Sequence, residues 1–182
     1  MRIIAGAWRG RTLIAPKGDA TRPTADRTRE ALFSMLVSRL GSFEGLRVAD
    51  LFAGSGALGF EALSRGAAHC TFIENDGAAL DALRANAAKL GANVEIRAQS
   101  VMALGVATQA FDLILMDPPY GTGAGVVALE KLTRLGWISP SALISIETQH
   151  KEIVAVAGYV AETPRKHGKA QITLLRPLNQ SG

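Results

Sequence analysis

Short apolar runs and amphipathic stretches alternate along the chain, and that rhythm predicts its elements. Residues 46–52, 69–73, 94–98, 111–117 and 142–147 are expected strands, most clearly the apolar run 111–116 that ends at Asp117 and two prolines. Between them the apolar positions fall at helical spacing. Ala25, Leu32, Phe33, Leu36, Val37 and Leu40 share one face, with Thr24 or Asp26 as cap and Gly41 as stop. Leu80, Leu83, Ala87 and Leu90 share another, between an Asp76 cap and Gly91. Shorter helices are expected over 57–65 and 126–135. Strands alternating with helices predict an α/β fold with a Rossmann-like, doubly wound and mainly parallel sheet. Residues 159–163 and 170–176 should close it as a C-terminal antiparallel hairpin around the basic loop 165–169. At the other end, residues 3–5 and 12–14 flank Gly6 to Arg11 as two short strands. The expected division is an N-terminal β-hairpin extension over 1–22 and one main domain over 23–182.

Composition narrows the class. A chain of 182 residues suits one core, and 48% hydrophobic content with 20% charged residues argues for an ordered globular protein. The start lacks an apolar stretch long enough for a secretory signal, and no run approaches a bilayer span. A cytoplasmic monomer with no membrane partner is expected. Cys70 stands alone and His69, His150 and His167 are scattered, so neither a disulfide nor a metal site is expected.

Charge adds a direction. Residues 1–47 carry nine basic and four acidic side chains, a surplus of five, whereas the whole chain is only +4. A basic arm on a near-neutral body fits a polyanion partner. Arg9 and Arg11 flank the region of Trp8, which either stacks on a base or covers the edge of the core. Arg22, Arg27 and Arg29 gather at the start of the first helix, where cations oppose the helix dipole. A phosphate there would relieve them, as would ion pairs to Asp26 or Glu30.

Two stretches carry chemistry. The first predicted strand runs into Asp50-Leu51-Phe52-Ala53-Gly54-Ser55-Gly56 and a helix, with Gly59 completing a Gly-x-Gly-x-x-Gly pattern. Glu74 ends the next strand 18 residues after Gly56, with Asn75 following, where a carboxylate can grip ribose hydroxyls. Both features suit an adenosine cofactor, a dinucleotide or S-adenosylmethionine. An acid at Asp50 repels a pyrophosphate and suits the ammonium of a methionine, which favours S-adenosylmethionine. The second stretch, Asp117-Pro118-Pro119-Tyr120, lies where open α/β sheets bind ligands. The prolines make a stiff turn without N–H donors, so the Asp117 carboxylate and Pro118 carbonyl are available to an amino group, and Tyr120 offers a stacking surface.

These segments resemble the RsmD family of bacterial 16S rRNA (guanine-N2)-methyltransferases. The resemblance rests on Met1 to Gly6 with Trp8-Arg9-Gly10, on Arg22-Pro23-Thr24-Ala25-Asp26-Arg27 with Arg29-Glu30, and on Asp50 to Gly59 with Glu61 to Gly66. Asp117 to Tyr120 and Gly136-Trp137 extend it over nearly the whole chain. It implies a class I methyltransferase fold for 23–182, with 50–56 holding the methionine part of S-adenosylmethionine, Glu74 the ribose, and 16S rRNA, free or within the small ribosomal subunit, as partner. Such families often carry Asp close to the adenine amine, where this chain has Ser100, whose hydroxyl can also accept a hydrogen bond. The rival expectations are an amino-methyltransferase acting on adenine in DNA or on a protein glutamine, and an RNA-binding protein without turnover.

Overall fold

Five parallel strands set the frame: β1 (Arg47–Leu51), β2 (His69–Glu74), β3 (Glu95–Ala98), β4 (Phe111–Met116) and β5 (Ile138–Gln149). Three short strands follow, β6 (Tyr159–Ala161), β7 (Arg165–His167) and β8 (Ala170–Pro177). The order across the sheet is β3-β2-β1-β4-β5-β8-β6, with β8 antiparallel to β5. The computed structural model describes residues 1–18 and 23–178, and the side chains of all of these except residues 23 and 24.

The expected basic loop 165–169 is half strand. Residues 165–167 form β7, which pairs with the β8 edge opposite β5, and the chain reverses at Gly168 and Lys169. The expected strand 159–163 stops at Ala161, shortly before Pro164, which lacks the N–H a ladder needs.

Alternation sorts the strands onto two cores. In β1, Val48 joins one cluster and Ala49 and Leu51 the other, as a period of two requires. The first cluster packs the sheet against α1 (Pro23–Leu40), α2 (Ala57–Ser64) and α3 (Gly77–Leu90). The second packs it against α4 (Ala124–Arg134) and the buried Trp137. Coverage on both faces is why the central strands read as largely apolar. On α1 the buried stripe is Arg29, Leu32, Phe33 and Leu36, so Ala25 and Val37 face solvent, contrary to the expected face.

The N-terminal segment makes one antiparallel bridge, Arg2 to Thr12, in place of two full strands. The amides of Ile3, Gly10 and Leu13 pair across the ribbon, and others reach the main body. Ile4 and Ala5 donate to the Glu61 carboxylate at 2.9 and 3.1 Å, Ala7 donates to the Ser64 carbonyl at 2.8 Å, and Ile14 donates to Asn86 Oδ1 at 2.7 Å. Ile3 and Leu13 are buried in the first core. Gly6 passes so close to α2 that a Cβ there would lie 1.8 Å from the Ser64 carbonyl oxygen. Trp8 is half-buried and packs against the same core.

Candidate active site

The strand order reverses direction at β1: β2 and β3 extend to one side, β4 and β5 to the other. A crevice opens at such a point outside the carboxyl ends of the strands. Here it is a cleft of about 450 Å³. Each strand contributes its end: Phe52 follows β1, Glu74 and Asn75 close β2, Ser100 follows β3, and Asp117, Pro118 and Pro119 follow β4. Seven residues expected from the sequence therefore line one cleft. Ile73, Gln99 and Val101 line it as well and were not expected.

Glu74 is fixed by three amides. Its Oε1 accepts from Gly54 at 2.7 Å, and its Oε2 accepts from Asn75 and Asp76, each at 2.9 Å. The loop after β1 is thus tied to the end of β2, and Ala53 donates to the Ile73 carbonyl at 2.9 Å. Phe52 adopts φ 58°, a left-handed conformation unusual for an aromatic residue and typical of backbone held at a functional site. Ser55 and Gly56 are buried away from the cleft, and Asn86 donates to the Ser55 carbonyl at 3.0 Å.

Asp50 departs from its expected place. Alternation puts it on the Val48 face, beneath α2, with 1% of its surface exposed. Its carboxylate accepts from Gly59 N–H at 2.9 Å and does not line the cleft. It therefore anchors the start of α2 under the loop and does not itself face a methionine ammonium. Gly59 permits this fit, since a Cβ would lie 2.3 Å from Phe72. Burial pushes the Asp50 carboxyl well above the usual range, and the nearby charges of Asp117 and Glu74 push the same way.

Asp117 meets a second acid that the sequence did not single out. Glu147 of β5 lies beside it, because Met116 pairs with Ile146 and the residue after each projects to the same face. The two carboxyl groups lie close enough to influence each other's protonation. Burial raises both, and the charge of Asp117 adds to it, bringing Glu147 to about 8. Tyr120 is half exposed and its Oη donates to Glu147 Oε1 at 3.3 Å. Burial and then the Glu147 charge push its phenol to about 12.

The arginines divide. Arg9 and Arg27 are exposed, and Arg9 borders a second cleft of about 360 Å³ shared with Arg2, Asp26 and Glu30. Arg11 is exposed and donates to the Lys89 carbonyl at 2.7 Å. Arg22 lies outside the described residues. Arg29 is only 5% exposed, donates to the Arg2 carbonyl, and pairs with Asp26 at 3.3 Å and with Glu61 at 3.8 Å. It is a structural tie, enclosed by the ribbon and α2, and is not presented to a substrate. Further cations that the arm does not supply, Lys166 and Lys169, are exposed on the β7–β8 turn, whose Lys169 carbonyl accepts from His150 beyond the end of β5.

Comparison with known proteins agrees with this geometry. A family model described as conserved hypothetical protein 95 matches residues 1–176. The ribosomal RNA small subunit methyltransferase D of Haemophilus influenzae is 39% identical over 155 residues, covering 82% of this chain and 79% of that protein. The protein of the same name from Escherichia coli K12 is 40% identical over 151 residues, covering 82% and 75%. A solved Escherichia coli structure, "Putative methyltransferase yhhF", superimposes with a TM-score of 0.85 at 33% identity and covers 99% of both chains.

Proposed function

We propose, for a chain that belongs to the conserved hypothetical protein 95 family of ribosomal RNA small subunit methyltransferase D relatives, that it methylates the exocyclic N2 amine of a guanine in 16S rRNA with S-adenosylmethionine as donor. The observation that carries this reading is the rigid acceptor turn Asp117-Pro118-Pro119 facing Glu74 across a cleft at the sheet's switch point.

The residues present fit that cofactor. Glu74 and Asp117 bring two carboxylates to the cleft, both close enough to raise the buried Asp50 carboxyl further. Such a field favours a sulfonium and an ammonium and repels a pyrophosphate. Glu74 is held in place by backbone amides, and its Oε1, carrying one of the three bonds, keeps accepting capacity for a ribose hydroxyl. Phe52, Ile73 and Val101 give apolar walls for a base, with Gln99 and Ser100 at the polar edge. Ser100 already accepts from Met102 N–H at 3.2 Å, so its hydroxyl hydrogen is directed away from that bond. The cofactor supplies a methyl group activated by its positive sulfur.

This chain's own residues hold the acceptor. A guanine N2 lone pair is delocalised into the ring and weakly nucleophilic. Accepting its two hydrogens at the Asp117 carboxylate and the Pro118 carbonyl favours the pyramidal nitrogen, whose lone pair points at the methyl. Orientation and electrostatics supply the acceleration. The half-exposed Tyr120 ring offers a surface on which the base can stack once it leaves its own helix or loop. The exposed Arg9, Arg11 and Arg27 suit the phosphates.

Incubation with labelled S-adenosylmethionine and unmodified small-subunit particles, naked rRNA and DNA in parallel tests the reading. Label is expected in RNA, and the comparison of particles with naked rRNA gives the assembly stage. Label confined to DNA would assign the adenine-directed rival.

A further inference from the structure

Asp117 lines the cleft and a second acid, Glu147, stands beside it, while acceptance of the amine needs only one. We propose that Glu147 is a positioning residue: carrying the single hydrogen that it shares with Asp117, it fixes the carboxylate that receives the amine. The inference rests on the functional reading above and extends it to a residue outside the Asp-Pro-Pro-Tyr turn.

The geometry runs in one direction. Tyr120 Oη donates to Glu147 Oε1 at 3.3 Å. The Glu147 carboxyl lies next to the Asp117 carboxyl across the β4–β5 register. Two like charges that close in a buried site disfavour each other, so one carboxyl keeps its hydrogen. That hydrogen can bridge the two, and the pair then carries a single negative charge. The groups around Glu147 agree. Asp117 presents a like charge from the end of β4, with Asp50 beneath it, Tyr120 contributes a neutral phenol, and β8 sets the apolar Ile172 directly across. Only the Tyr120 hydroxyl favours a charge on Glu147, and burial with the Asp117 charge outweighs it, so the pair retains its hydrogen at neutral pH. Burial and the Asp117 charge hold the Glu147 carboxyl at about 8.

The reaction then balances. The nitrogen lone pair forms the N–C bond as the methyl C–S bond breaks and its electron pair stays on sulfur. The methylated nitrogen gives one proton to the acid pair, which passes from one negative charge to none. The sulfonium charge disappears in the same step, so net charge is conserved. The pair later returns a proton to water.

Loss of the shared hydrogen at high pH replaces the bond between the acids with repulsion and releases Asp117 from its place. Methyl transfer to RNA is therefore expected to be flat near pH 7 and to fall above about pH 8, approaching tenfold per pH unit. Glu147→Gln keeps a donor to Asp117 and an acceptor for Tyr120 but has no proton to lose. It should retain neutral-pH turnover within about threefold of the wild type and lack the fall above pH 8. Glu147→Ala removes the donor and should lower kcat by roughly 10–100-fold with the cofactor Kd unchanged. An unchanged high-pH fall in Glu147→Gln, a rate that rises through pH 8 in the wild type, or full activity in Glu147→Ala would each overturn the proposal. Wild-type protein without RNA methylation at any pH would instead sink the functional reading on which it rests. Calorimetric cofactor titration of each variant separates a folded, inactive protein from an unfolded one.

Discussion

Glu61 has no exposed surface, yet it carries a carboxylate that four groups address. Ile4 and Ala5 donate their backbone N–H groups to it, Arg65 donates from Nε at 3.0 Å, and Arg29 lies 3.8 Å away. Glu61→Ala leaves two amides and a 5% exposed guanidinium without this partner. Hydrogen bonds to a charged group contribute about 1.5–3 kcal/mol each. Breaking a buried pair by removing one member costs about 3–5 kcal/mol, because the other charge stays behind. The two figures describe overlapping events, and release of the ribbon from α2 limits the total, so a loss of about 3–5 kcal/mol is expected. Urea unfolding measures it, with the midpoint falling at an unchanged slope. The partner cycle sharpens the test. In Glu61→Ala the buried Arg29 keeps only the part-exposed Asp26 at 3.3 Å, so adding Arg29→Ala removes a poorly compensated charge and the double variant should be at least about 1 kcal/mol more stable than additivity predicts. A Glu61→Ala loss below about 1 kcal/mol, or strict additivity, would refute the claim that this carboxylate fastens the ribbon to the sheet domain.

Three further outcomes follow from the same structure. Gly59→Ala drives a Cβ to 2.3 Å from Phe72 Cε1 and 2.7 Å from Cys70 Sγ, so it should cost about 1–3 kcal/mol in denaturant unfolding; wild-type stability would contradict the packing argument. Asp50 is an acid whose folded pKa lies well above its unfolded value, so the stability it contributes is present at acid pH and is lost as pH rises from about 4. Asp50→Asn, whose side-chain oxygen can still accept from Gly59, should therefore gain on the wild type as pH rises above about 4 without cofactor, and a pH-independent difference would be inconsistent with that burial. Arg9→Ala and Arg27→Ala should each flatten the salt dependence of RNA binding by roughly 0.7–0.9 in log–log slope with little loss of stability, whereas Arg29→Ala should lower the melting temperature.

The architecture was legible because the central strands β1, β2, β4 and β5 are largely apolar on both faces and helices carry recognisable caps, such as Asp76 accepting from Ala79 N–H at 2.9 Å and Gly91 closing α3 at φ 63°. The cleft was legible because Glu74 and Asp117 sit where strands end, and strand ends are visible in sequence. Glu147 was not. It lies 30 residues beyond Asp117, and only the β4–β5 register joins them. Asp50 was misplaced for want of an alternation count: it is two residues after Val48, so it shares the inward face with that core residue. The same arithmetic applies to Arg29, three and four residues before the buried Leu32 and Phe33, which places it on the covered stripe of α1. Glu61 had a signal in being the one charged residue of α2, set among apolar neighbours. β7 was hidden because its charged residues, Arg165 and Lys166, project from an edge strand, where charge is tolerated and protects against further pairing.

The central claim is that the turn after β4 presents an exocyclic guanine amine to the methyl donor. The most direct test is nucleoside mass spectrometry of small-subunit rRNA after reaction with wild-type protein and with Asp117→Ala. The account predicts N2-methylguanosine with the wild type, and at least about a hundredfold less with the variant while its cofactor Kd stays within a few-fold. A different methylated nucleoside, or a variant that loses cofactor binding and turnover together, would contradict it.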